Sequence, residues 1–272
     1  MEILTSILLV ALEITSPILQ NNNGEHWKTQ INTFWDFLQS CSDVQTNDTC
    51  GTHVHISPSK SVSWSLGHLK RLSMAIIWFE PAIEVILPKQ RRQNIWAKAN
   101  HKDHPQFKVQ TIENIFHTIN SCETIDAMIE CMNPQDDRYF GWNFTNLREN
   151  AIGTVEFRRP PGVTGRVACL SWMEFTAAFV RAATGIQDPT DLLSIQQSVE
   201  GMKSFLHTAL PPGVRLRDAF GRIFRNKSGR VDVIPLRPLT QQERELLEDK
   251  KRDKEKRNTI MKKIIMAMRA NQ

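Results

Sequence analysis

GTVEFRR, residues 153–159, is the stretch on which the fold turns. Val155 and Phe157 alternate with Glu156 and Arg158, so a strand shows two apolar residues on one face and a carboxylate beside a guanidinium on the other. The apolar pair points to a central strand. A Glu and an Arg are costly there unless they bind something charged. The preceding RYFGWNFTNL, residues 138–147, reads as a second strand, joined to the first by a turn around Glu149 to Gly153.

A third strand is expected over residues 52–57, within TCGTHVHISPS (residues 49–59). His53 and His55 share one face, with Val54 buried behind them. The pair suits metal chemistry, phosphate chemistry or an exposed strand carrying two imidazoles. Glu13 closes an apolar run, residues 3–15, expected to be a buried strand. The run has no positive leader and no small-residue cleavage site, and is too short to span a bilayer. Arg91 and Arg92, in PKQRRQN, follow a helix. Together these segments suggest a curved sheet presenting Glu, His, His, Glu and Arg to one cavity. Carboxylates and imidazole suit metal ions, and arginines suit phosphates. No G-x-x-x-x-G-K-[ST] string occurs.

Helices are expected around this sheet. Trp27, Ile31, Phe34, Trp35 and Leu38 recur at helical spacing over 25–39. Leu66, Leu69, Leu72, Ile76 and Phe79 mark a helix from about Ser63 to Leu87, with Pro81 kinking or restarting it. Two short helices are expected with Thr111 and Ser121 as N-caps. Further helices are expected over 167–183 (apolar almost all round, hence deeply packed), over 190–209 and near 215–225.

The chain has 272 residues and a net charge of +5. Residues 241–272 hold ten Lys/Arg and six Asp/Glu, so the tail carries +4 and the body is nearly neutral. That argues against a nucleic-acid partner. The tail reads as a long helix laced with i,i+4 charge pairs and amphipathic at its end (Ile260, Ile264, Ile265, Met268), with a protein partner as its expected contact. Five cysteines without a C-x-x-C pair read as buried or half-buried free thiols. With no leader and no span, a cytoplasmic location is expected. The domain expectation is a body over 1–235 and a charged helical tail over 236–272.

LEITSPIL, CGTHVHIS, FEPAIEVILPKQRRQN and GTVEFRRPPG…LSWMEFTAAFV, in this order, resemble the amidoligase family of carboxylate–amine ligases, related to glutamine synthetase and glutamate–cysteine ligase. The resemblance spans roughly residues 8–185. It implies an α+β fold, an antiparallel sheet around an ATP–Mg²⁺ site with helices outside. It implies ATP-dependent amide formation through an acyl-phosphate, with small-molecule or peptide carboxylates and amines as substrates. Glu13, Glu156 and His53 would hold metal; Arg91, Arg92 and His53 would meet the nucleotide; Glu156, Arg158 and His55 would serve catalysis. Members usually open with a Glu-x-Glu strand, where this sequence offers only Glu2 and Glu13. A catalytically impaired relative that binds without turnover is therefore the first alternative. A zinc amidohydrolase, which also uses His-x-His but needs a (β/α)₈ barrel, is the second.

Overall fold

A computed structural model describes residues 13–20, 26–59, 62–210, 213–216, 220–225, 227–230 and 236–270. The first expected strand falls mostly outside them. Its described end, residues 13–15, is exposed and without regular structure.

The chain is α+β. Among the described residues its sheet has three short antiparallel strands, β1 (Val54–Ile56), β2 (Trp142–Asn143) and β3 (Val155–Phe157), in the order β1-β3-β2. The GTVEFRR strand is thus central. The pairing sets Val54 opposite Phe157, His55 opposite Glu156 and Asn143 opposite Glu156. Hydrogen bonds continue past the regular strands: Arg158 N donates to Gly141 O at 2.7 Å, and Thr52 N to Pro160 O at 3.2 Å. A positive φ at Asn150 (64°) and Gly153 (71°) lets the β2–β3 connection reverse. The expected broad curved sheet is therefore small. The three antiparallel strands are also not the parallel barrel that a zinc amidohydrolase requires.

Helices supply the bulk. They are α1 (His26–Cys41), α2 (Leu66–Ile86), α3 (Lys89–Arg92), α4 (Ile112–Ser121) and α5 (Ile125–Met132). After the sheet come α6 (Arg166–Gly185), α7 (Val199–His207), α8 (Gly221–Phe224) and α9 (Gln241–Ala270). Helix α2 starts at Ser65, whose hydroxyl accepts from His68 N at 3.1 Å. It runs through Pro81 as one helix, so of the two expected effects, a kink or a restart, the restart does not occur. Contacts with α4, α5, α6 and α7 hold it on several sides, and tertiary packing outweighs the local cost of the proline. Helix α6 is less enclosed than its composition suggests, because its first turn and Arg181 face solvent. Phe79, Phe175, Phe179, Phe205 and Trp142 join α2, α6, α7 and β2 into one aromatic core. Helix α1 buries Trp27, Ile31 and Trp35 in a separate cluster that includes Leu170 and Met173 of α6.

Three local expectations change. Ser121 ends α4, its hydroxyl donating back to Thr118 O, and Thr124 is the cap of α5, accepting from Ala127 N at 3.0 Å. The helix expected over 190–209 is a 3-10 turn, Pro189–Ser194, followed by α7 with Ser198 as its cap. Cys41 is exposed. No described helix is long and apolar enough to cross a membrane.

Candidate active site

Phe157 packs on Trp142 with ring centroids 4.5 Å apart, and Val155 lies in the same core. Those contacts fix the strand's orientation. Strand alternation then sends Glu156 and Arg158 to the other side. The register places His55, Glu156 and Asn143 in one row across the three strands, where directly opposed side chains meet.

Glu156 is 3 % exposed and fully engaged. Its Oε1 accepts from Arg158 Nη1 at 2.6 Å and lies 3.1 Å from His53 Nδ1 and 3.5 Å from His55 Nε2. Its Oε2 accepts from Asn143 Nδ2 at 2.8 Å and Asn146 Nδ2 at 3.4 Å. Burial by itself would push the carboxyl up. The His53 hydrogen bond, the Arg158 charge and the Asn143 amide together outweigh it and hold the group down at about 2. Glu156 is thus an ionised hub.

The imidazoles form the outer edge, both partly open to solvent. His55 Nδ1 lies 3.0 Å from Thr154 Oγ1. Burial lowers the His55 pKa; Glu156 opposes this, and His53 and Arg158 add to the lowering. The net effect holds the His55 imidazole below its ordinary value. Arg158 donates from Nε to Trp96 O at 3.4 Å, and its guanidinium lies 5.8 Å from the Tyr139 ring centroid.

The other expected site residues lie elsewhere. Arg91 is buried, its Nε and Nη2 donating to the carbonyls of Arg159 and Arg158 at 3.0 and 2.6 Å. It pins the end of β3 from behind. Arg92 donates to Leu87 O and Val85 O at the end of α2. Glu13 is exposed on its irregular segment and makes no ion pair among the described residues. Thus His53, His55, Glu156 and Arg158 come together, with Arg91 beneath. Arg92 and Glu13 do not join them.

Asn143, Asn146, Thr154 and Trp96 were not singled out in the sequence. The signal for Asn143 was present in the Trp-Asn pair two positions past Phe140, but it needs the strand register to be read.

A second charged cluster lies behind the sheet. Arg159 pairs with Glu84 of α2, both buried. Glu80, one turn earlier, accepts from the backbone N–H groups of His101 and Lys102 at 2.8 and 3.1 Å. Burial raises the Glu80 pKa to about 7, and the Arg159 charge and the two backbone donors only partly offset it.

A family model described as "Putative amidoligase enzyme" matches residues 4–180. The chain is a member of this amidoligase family. The matched segment contains both strands that carry the imidazoles, Glu156 and Arg158. No curated protein and no solved structure matches the chain.

Whether the amidoligase cluster suits a resident Mg²⁺ follows from its donors. Mg²⁺ takes about six ligands, mostly oxygen, at close range. Both oxygens of Glu156 already accept N–H groups, and Arg158 occupies the near position. Among the described residues no group of three or more His, Cys, Asp or Glu could hold a metal ion. As arranged, these residues do not fit a protein-held metal. They form a buried carboxylate–guanidinium pair with two half-exposed imidazoles at its edge.

Proposed function

We propose that this amidoligase joins a carboxylate to an amine at the expense of ATP, through an acyl-phosphate. The observation that carries the reading is the grouping of His55, Glu156 and Arg158 on one sheet face, in a chain of this family. ATP enters with its own Mg²⁺ as substrate. A carboxylate oxygen attacks the γ-phosphorus and ADP leaves. The amine nitrogen then attacks the acyl carbon, phosphate leaves with the acyl C–O electron pair, and the nitrogen loses a proton.

Each side chain has a role suited to its environment. Arg158, fixed by Glu156 and Trp96 O, presents its remaining donors to the phosphoryl oxygens, where negative charge must be stabilised. Glu156 keeps Arg158 in place and stays ionised throughout. His55, neutral and reachable from solvent, takes the proton from the attacking nitrogen. His53 holds the carboxylate from the strand edge.

The test supplies MgATP, a panel of amino-acid carboxylates and hydroxylamine as a general amine, and reads hydroxamate and ADP together. ADP release should require both the acid and the amine. Arg158→Ala should reduce it by about 10²-fold or more. ATP binding without ADP release under any pairing would favour the non-catalytic relative. Unchanged turnover in Arg158→Ala would remove the site assignment.

A further inference from the structure

Helix α9 lies outside the segment matched by the family, yet it comes up against the edge of the cluster. Lys250 Nζ sits 4.5 Å from the centroid of the Trp96 ring. Trp96 meets Tyr139 edge-on, centroids 5.0 Å apart. Tyr139 in turn carries the Arg138 guanidinium at 5.3 Å and that of Arg158 at 5.8 Å. Two adjoining aromatic rings therefore collect three cations, one of them from the proposed catalytic row.

A cleft opens between α9 and the 135–139 loop, lined by Arg138, Tyr139, Lys250, Lys251 and Lys254, together with Asp136 and Asp137. The two aspartates already have cations of their own. Asp137 binds Lys98 at 2.6 Å, and Asp136 binds Arg148 at 2.9 Å. Among the described residues, Arg138, Lys250, Lys251 and Lys254 form no ion pair. The charge lacing expected along α9 is also sparse there: Arg252–Asp249 is its one internal ion pair among the described residues. Four cations facing one cleft without carboxylate partners repel each other, and a bound anion relieves that repulsion.

We propose that this cleft is a binding subsite for a small polyanion, a molecule with two or more phosphate or carboxylate groups. Lys250, Lys254 and Arg138 supply the charge, and Tyr139 lines the cleft beside them. Helix α9 is then a wall of the subsite. Binding here requires neither ATP nor turnover, so it stands apart from the ligase reading.

The experiment titrates the full chain by calorimetry at one fixed ionic strength. The probes are inorganic triphosphate, citrate and acetate, the last as the single-charge control. Triphosphate, citrate or both should bind, and acetate should not; the stronger of the two shows whether phosphate or carboxylate is preferred. Lys250→Gln combined with Lys254→Gln should weaken that binding by about tenfold or more, since charge-assisted hydrogen bonds are lost. Arg158→Ala, which removes the anion-binding group of the proposed catalytic cluster, should weaken it less than the double variant does. Both lysines lie on the surface of the helix, and far-UV circular dichroism checks that it persists. The proposal fails if neither polyanion binds. It also fails if the double variant binds as the parent does, or if Arg158→Ala weakens the binding as much as the double variant or more, which would put the ligand at Arg158.

Discussion

Replacing Glu80 by Gln should change how stability depends on pH. Glu80 is 4 % exposed, and its folded pKa is raised from 4.5 to about 7. In the unfolded chain it titrates at the ordinary value. Between these two values the folded form holds a proton that the unfolded form has released. Stability from this group is therefore complete below about pH 4.5 and is lost as pH rises toward 7. At about 1.4 kcal/mol per pH unit, the gap amounts to roughly 2.5 kcal/mol between pH 5 and pH 8. Glutamine keeps one acceptor for the His101 and Lys102 N–H groups but turns an N–H toward the other, which adds a constant, pH-independent cost. The informative quantity is thus the difference between variant and parent at the two pH values. Urea unfolding at pH 5 and pH 8 supplies it. Relative to the parent, Glu80→Gln should gain roughly 2 to 3 kcal/mol on going from pH 5 to pH 8. An offset equal at both pH values, within about 0.5 kcal/mol, would mean that Glu80 is ionised in the fold and that burial does not dominate there.

Glu156→Gln should show the opposite dependence. Its folded pKa of about 2 lies below the ordinary 4.5, so the parent loses stability as pH falls from 4.5 toward 2, by roughly 3 kcal/mol. The variant lacks that acid limb, which acid titration followed by tryptophan fluorescence reads. His55→Gln should leave urea stability within about 0.5 kcal/mol, because the side chain is partly exposed, while lowering hydroxamate formation. Gly141→Ala should cost roughly 1–3 kcal/mol by thermal unfolding, because its new Cβ would lie 2.7 Å from Arg159 Cγ and the Glu84 ion pair keeps that side chain in place.

The cluster of His53, His55, Glu156 and Arg158 was legible because it is local. His-x-His and Glu-x-Arg each place two side chains on one strand face, and period two is the simplest pattern to read. The Asn143 partner was not, because it depends on the register between strands twelve residues apart in the chain. Arg91 and Arg92 read as a basic loop facing phosphate, since sequence shows charge and not burial. Their guanidiniums instead close carbonyls at the end of β3 and of α2. Ser121 and Thr124 were equivalent as caps by residue type, and the length of α4 decides between them. The long α9 was plain from its composition. Its docking on Trp96 was not, because a lysine over an aromatic ring leaves no periodic trace.

Glu156 and Glu80 show why composition cannot rank two buried carboxylates. Both are almost fully covered, and burial is the largest single influence on each. What separates them is the use of neighbouring arginines. Arg158 points to the polar side of β3 and gives its charge to Glu156, with His53 and Asn143 adding donors. Arg159, the next residue, points to the α2 side and pairs with Glu84, so Glu80 receives only two backbone N–H groups and a more distant cation. One strand alternation therefore sets the charge state of both glutamates. It leaves an ionised carboxylate holding the Arg158 guanidinium on the polar side of β3, and a protonatable one on the α2 side. Arg91, which holds the carbonyls of both Arg158 and Arg159, keeps that alternation in register.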